Sequence, residues 1–524
     1  MSLSSILLAA VMIVAHEPGY YTSLAKHLQR WLGSEQIEAE VIKPTEMPFK
    51  LAKTNIAFLL GFNEPTAAEL DTLKRYTAKG GKLIVFHSAS PQLGELMGVK
   101  PTGYKTAPKP GAWSRMDFVK QTPPGTPAQI LQTSTVLQSA AAIPGQSRVI
   151  ATWSDRGGKS TGEVAWLVSK RGYWMTHVLL ADGDETLKAQ WVAAICGSLN
   201  PRLWNAEKAF QCKQNIAAQL KAYASKQTSD PREIRAVWDH SGCGLYPGNW
   251  KRTFAVLKSA HVTDLFVNVA GAGFAHYNSK VLKRSKTFME EGDQLAACLA
   301  AAKGSGIRVH AWILCFTSTR GDVKEFQSKG WTLKNANTGK DTEYLDPSNP
   351  KVRAHVLNAI AELKNYPVDG VHLDFVRYYE GAKKPADATQ TITRFVYAAR
   401  KIVPHPKWLT TAVLGKYPMC IASVGQDWDS WLNAGLVDYV VPMDYTNDNK
   451  KLESYLAQHA MVRSHARRTI CGLGVTANES RLDAKGVMDQ IKLARKYGMA
   501  GVALFDLDTY LEKNIFPYLR LGLW

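Results

Sequence analysis

The chain has 524 residues, 45% hydrophobic and 21% charged, with 64 basic and 45 acidic side chains and a formal charge of +19. That is enough chain for two or three domains with sizeable cores, and the composition excludes disordered, collagen-like and disulfide-dense classes. Residues 1–230 carry 25 basic and 17 acidic side chains, a net +8, so +11 falls beyond them. A positive excess spread this evenly argues against a dedicated nucleic-acid surface, and it suits an acidic polysaccharide.

In chain order, Ile6–Ala15 is apolar for ten residues and has no basic segment before it. It is too short for a membrane span and lacks the form of a signal peptide, so it reads as the first strand, 5–15. No other window approaches eighteen apolar residues, so no membrane span is expected. Strand-like runs follow at 38–43, 55–61 and 82–87, alternating with helical periodicity over Tyr20–Leu32 and Thr66–Lys79, the latter stopped by Gly80-Gly81. Strand and helix in alternation predict an open α/β sheet. At the end of 82–87 stand His87 and Ser88. A lone neighbouring Ser–His pair reads as loop hydrogen bonding rather than a triad.

Residues 101–150 are rich in Pro, Gly, Thr and Gln, which predicts a long excursion over the surface. A strand pair turning at Lys170-Arg171-Gly172 follows, then helices over Thr186–Leu199 and Asn205–Lys226. The polar stretch Ser225–Pro231 marks a boundary between an accessory domain, 1–228, and a second domain, 232–524. In the second, strands are expected at 234–238, 263–269, 307–314, 370–374, 408–414, 437–443, 469–473 and 500–505, with helical runs between them. Eight such units in about 290 residues predict a (β/α)8 barrel.

Chemistry in a barrel sits where its strands end. Those ends supply Asp239 and His240 from strand one, and Asn268, His276 and Tyr277 after strand two. Strand three gives Trp312, strand four Asp374, Arg377 and Tyr378, strand six Asp444 and Tyr445, and strand eight Asp506 and Asp508. Acids among Trp, Tyr, His and Asn compose a carbohydrate site, where aromatic faces stack on sugars and polar edges fix hydroxyls. Cleaving a glycosidic bond normally takes two carboxyl groups. Asp374 and Asp444 are the expected catalytic pair, with Asp239 in reserve and Asp506 among the substrate ligands. His372, between two apolar neighbours, reads as a core histidine.

Four segments carry a family resemblance: NYPVDGVHLDFVRYY (365–379), YLDPSNPKVRAHVLNAI (344–360), RVHAWILCF (308–316) and DWDSWLNAGLVDYVVPMDYT (427–446). They resemble motifs of a bacterial family of (β/α)8 barrel proteins, glycosyl hydrolase-like family ten. The resemblance implies a glycoside hydrolase and an extracytoplasmic setting. The Asp374/Asp444 arrangement is also similar to α-galactosidase and α-glucosidase barrels, which implies Asp374 as nucleophile and Asp444 as acid/base. GFNEPTAAELDTLKRYTAKGGKLIVF (61–86) resembles the flavodoxin-like, glutamine-amidotransferase-like domains that accompany such barrels. No Cys occurs before 196, so catalysis is not expected there.

The competing class is a barrel that binds carbohydrate without cleaving it. No cofactor is expected, because nothing resembles a P-loop, a G-x-G-x-x-G after a strand, or a zinc-ligand spacing. The seven cysteines are odd in number; Cys196 and Cys212 are the pair that an oxidising compartment would join.

Overall fold

The structure, a computed structural model, describes residues 11–16, 19–109, 111–155, 157–181, 185–318, 321, 323–461 and 465–524. The chain divides into two compact units, Met1–Ala217 and Ala218–Trp524. The division falls inside the helix Ala206–Ala224.

The N-terminal unit is built on a nine-stranded sheet. Ala39–Ile42, Val11–Ala15, Ile56–Leu60, Lys82–Phe86 and Gly172–Met175 run parallel in that order. Val11–Ala15 and Ile56–Leu60 are buried at every position, as strands covered on both faces must be. The expected first strand is present from Val11; its residues 5–10 lie outside the described residues. The helix Ala67–Ala78 begins where the sequence says it should. Thr66 accepts from the Glu69 amide and Glu69 reaches back to the Thr66 amide, a reciprocal cap.

Residues 101–150 are not a surface excursion. They contribute to strands Val99–Thr106, Trp113–Phe118, Gln129–Ser134, Val136–Ala142 and Ser147–Ser154. Two of these extend the main sheet antiparallel beyond Ser160–Ser169, and Gln129–Ser134 closes its edge. Burial along Gln129–Ser134 alternates strictly, but two of its three buried residues are Gln132 and Ser134. Polar side chains at inward positions hide a period-two strand from a hydrophobicity reading. Nor do Cys196 and Cys212 pair. Both are free thiols, Cys196 buried on the helix Glu185–Leu199 and Cys212 beside Gln36.

The second unit is a closed barrel of eight parallel strands: Ile234–Asp239, Asp264–Gly271, Arg308–Leu314, Gly370–Asp374, Trp408–Leu414, Tyr439–Met443, Ile470–Gly474 and Gly501–Phe505. Strand one pairs with both strand two and strand eight, which closes the ring. Successive side chains alternate between the outer layer and the interior. Val371 and Leu373 join the core shared with the surrounding helices. Gly370, His372 and Asp374 therefore take the interior face of strand four. The interior is filled by Trp238, Phe266, Trp312, Val441, Ile470 and Ala503 among others, a packed plug rather than a pore. Below this layer Asp264 binds both Arg308 and His310, with Arg308 Nε at 2.7 Å and His310 Nε2 at 2.8 Å from Oδ1.

Among the described residues, no helix is long and apolar enough to cross a membrane.

Candidate active site

At the C-terminal mouth of the barrel lies a cavity of about 620 Å³. Its floor and walls include Trp238, His240, Trp312, Asp374, Phe375, Tyr445 and Phe505. All but Phe375 take the interior parity of their strands, and Phe375 leaves strand four in a left-handed backbone conformation.

Trp238 is set by the core beneath it. Its Nε1 donates to His372 Nε2 at 3.0 Å, and His372 Nδ1 lies 2.8 Å from Thr410 Oγ1. Burial, with His310 nearby, holds the His372 imidazole well below its ordinary range. A neutral ring accepts at Nε2 and donates at Nδ1, so His372 orients the indole and takes no part at the cavity.

Asp374 ends strand four and is 5% exposed. Burial pushes its carboxyl up, while Arg377, the Phe375 amide and the Trp312 indole pull the other way. The Phe375 amide donates to Oδ1 at 2.6 Å, and Arg377 Nη1 stands 3.7 Å from the same oxygen. Phe375 itself has φ of 52°. A bulky non-glycine residue in the left-handed region is strained, and strain of this kind gathers where a site must be held. The Arg377 guanidinium lies over the Phe375 ring, 4.2 Å from its centroid. From Phe375 an aromatic row leads away: Tyr344 stacks at 6.2 Å and Tyr379 on Tyr344 at 4.4 Å, with 5° between the last two planes.

Of the residues expected from sequence, His240, Trp312, Asp374, Arg377 and Tyr445 line the cavity. Asp444 is not brought to it. Met443 and Tyr445 face the cavity, so the residue between them turns outward. The Asp444 carboxylate is fully buried, with His459 Nε2 3.1 and 3.2 Å from its two oxygens and Cys471 Sγ at 3.7 Å. Asp239 likewise faces out and organises a loop. It accepts from Ser241 and from the Gly242 and Gly244 amides.

Asn268 is buried under the loop at Gly242, whose added Cβ would stand 2.2 Å from the Asn268 carbonyl oxygen. His276 Nδ1 lies 2.7 Å from Ser285 Oγ, and the Tyr277 hydroxyl donates to Glu362. The Tyr378 hydroxyl meets Ser348, and Asp506 accepts from Thr476. None of these five is among the cavity's lining residues.

The cavity has further residues that strand-end reading does not reach. Glu380 lies six residues past strand four, Lys416 follows strand five, Lys451 and Tyr455 lie on the helix Asn449–Met461 after strand six, and Asn478 and Glu479 follow strand seven. They stand in loops and in a helix, where alternation no longer tells inside from outside.

Residues 233–407 match the family model Glycosyl hydrolase-like 10. The match covers about one third of the chain and takes in strands one to four with Asp374. No curated protein matches the chain. Among solved structures, the PgaB (BpsB) glycoside hydrolase domain from Bordetella bronchiseptica is similar, at 14% identity over 56% of this chain and 99% of that one, with a TM-score of 0.44. The chitinase RmChi1 from Rhizomucor miehei is similar at 14% identity over 50% and 94%, with a TM-score of 0.34. An endo-1,4-beta-mannanase from the same organism is similar at 10% identity over 53% and 90%, with a TM-score of 0.40.

Beside the cavity, strand eight leads into an acidic pair. Burial pushes the Asp508 carboxyl up to about 7, Asp506 adds to this, and the Leu511 amide opposes it. An ordinary carboxyl titrates near 4. The folded chain therefore holds this proton more tightly than the unfolded one. The stability from that proton is complete below about pH 4 and is lost as pH rises through 7. Asp508→Asn keeps an acceptor for the Leu511 amide, 2.8 Å away, without the buried charge. It should raise unfolding stability at pH 8 by on the order of 3 kcal/mol and change it little at pH 4. Urea unfolding at both pH values measures this.

Proposed function

We propose that the barrel unit is a glycoside hydrolase acting on an oligo- or polysaccharide. The observation that carries this reading is Asp374, a buried carboxyl with raised proton affinity on the floor of a cavity walled by Trp312, Phe375, Tyr445, Tyr455 and Phe505. The match of residues 233–407 to Glycosyl hydrolase-like 10 supports it. A carboxyl whose burial favours the neutral form suits the proton donor to the leaving oxygen better than the nucleophile. The second carboxylate must meet the same sugar. The other cavity-lining acids are Glu380 and Glu479. Glu380 shares the strand-four loop with Asp374. Glu479 comes from the loop after strand seven and can bracket a sugar from the other side, so it is assigned here in place of Asp444. The deciding experiment is hydrolysis of a glycan panel by the wild type, Asp374→Asn and Glu479→Gln. Cleavage that persists in both variants would sink the assignment, and a wild type that binds glycans but never cleaves them would leave a carbohydrate-binding barrel.

The row Phe375–Tyr344–Tyr379 supports a substrate longer than one sugar. Tyr344→Ala should raise KM for hexasaccharides about fivefold and leave disaccharides nearly unchanged, since stacking contributes on the order of 1 kcal/mol per ring. Equal loss for both lengths would count against an extended site.

We read the N-terminal unit as a flavodoxin-like, non-catalytic accessory module, supported by the order of its five parallel strands. Ser88 is fully buried; its hydroxyl donates to the Phe62 carbonyl and accepts from the Ser90 amide. Ser88→Ala should therefore cost about 1 kcal/mol of stability and leave turnover intact. A loss of turnover with the fold preserved would overturn this. An extracytoplasmic setting belongs to the same reading.

A further inference from the structure

The charged residues of the cavity are not evenly placed. Arg377 follows strand four, Lys416 follows strand five and Lys451 opens the helix after strand six. These three strands are neighbours in the barrel, so the three cations form one continuous arc. Each arises from a different loop or helix, so no single helix face or charged run accounts for their meeting. Among the described residues, neither Lys416 nor Lys451 has a carboxylate within ion-pair reach. Arg377 has only Asp374, at 3.7 Å, and its buried Nη1 lacks a hydrogen-bond partner. At that distance the two groups face each other without a hydrogen bond. Glu380 is exposed on the rim beyond Arg377, and Glu479 stands on the strand-seven side. Tyr455, one turn after Lys451, supplies an aromatic face within the arc.

A guanidinium and two ammonium groups around one wall of a sugar-sized cavity are donors without acceptors. Neutral hydroxyls need donors and acceptors together, whereas a carboxylate or sulfate oxygen only accepts. We infer that the wall formed by Arg377, Lys416 and Lys451 is a subsite for an anionic substituent, a carboxylate or sulfate, on the bound glycan. This rests on the reading of the cavity as a sugar site. Lys416 and Lys451 are thereby specificity residues, and Arg377 both holds the anion and faces Asp374.

The test measures binding separately from cleavage. Affinity is taken by calorimetry on the full chain carrying Asp374→Asn, with oligogalacturonate against its methyl ester and a chondroitin sulfate oligosaccharide against its desulfated form. The anionic member of at least one pair should bind about tenfold tighter at low salt, and the advantage should shrink at 0.5 M salt. Adding Lys416→Ala or Lys451→Ala should each weaken the anionic member about tenfold, with a much smaller change for its neutral counterpart. Both lysines are exposed, so neither change threatens the fold. If no anionic oligomer outbinds its neutral counterpart, or if the lysine changes leave the preference intact, the inference is overturned. The wild type, assayed for cleavage in parallel, keeps the two readings apart. Anion-selective binding without cleavage removes the hydrolase and keeps the subsite. Cleavage without anion preference does the reverse.

Discussion

Asp374→Asn will lower kcat on a cleavable glycan by about 10²–10⁴-fold, the usual contribution of a positioned proton donor, with little change in binding. The substitution keeps shape and removes only the proton. Its effect should vanish for substrates with an activated leaving group such as a nitrophenolate, which departs without protonation. The pH profile gives a second readout. A proton donor is active below its pKa, so activity should fall as pH rises past that of Asp374. Arg377 lowers that pKa and burial raises it. Arg377→Gln should therefore move the alkaline limb to higher pH. A limb that stays fixed, or moves down, would show that Asp374 is not the titrating acid. Glu479→Gln should also cost orders of magnitude, and added azide should restore turnover if the lost group is a nucleophile or base.

Asp444→Ala will act on stability instead. It leaves His459 Nε2 buried without either of its oxygen partners at 3.1 and 3.2 Å. Leaving a buried hydrogen-bonding group without its partner costs about 1–3 kcal/mol. Activity per folded molecule should stay close to wild type, and Asp444→Asn, which keeps an acceptor for the imidazole, should lose less. Thermal unfolding and activity measured on one preparation separate these outcomes. A stable but inactive Asp444→Asn would return this residue to the chemistry.

The contrast between Asp374 and Asp444 shows what the sequence could say. All eight barrel strands are readable to within a residue or two, because each is a short apolar run with turn signals around it. Asp374 is readable as well, since it closes the run Val371-His372-Leu373 on the interior parity. Asp444 looks equivalent in one dimension. It differs only in lying one residue beyond Met443, and in a strand one residue is the difference between interior and exterior. Tyr445, the next residue, is the one that reaches the cavity. Glu479, Lys416 and Lys451 carry no local signal at all. Their place is fixed by the closure of the barrel, which brings loops from strands five, six and seven to one mouth. Residues 101–150 were obscured for another reason: Gln132 and Ser134 occupy inward strand positions that hydrophobicity cannot mark.

The filled interior of the barrel also bears on traffic. Among the described residues, Trp238, Phe266 and Trp312 packed across the barrel and Asp264 tied to Arg308 and His310 below leave the cavity no rear outlet. Whatever enters at the mouth must back out by the same door. For the hydrolase proposed above, fragments and incoming chains would contend for one passage, and a fragment that keeps its grip on Arg377 and the two lysines would be the last to leave.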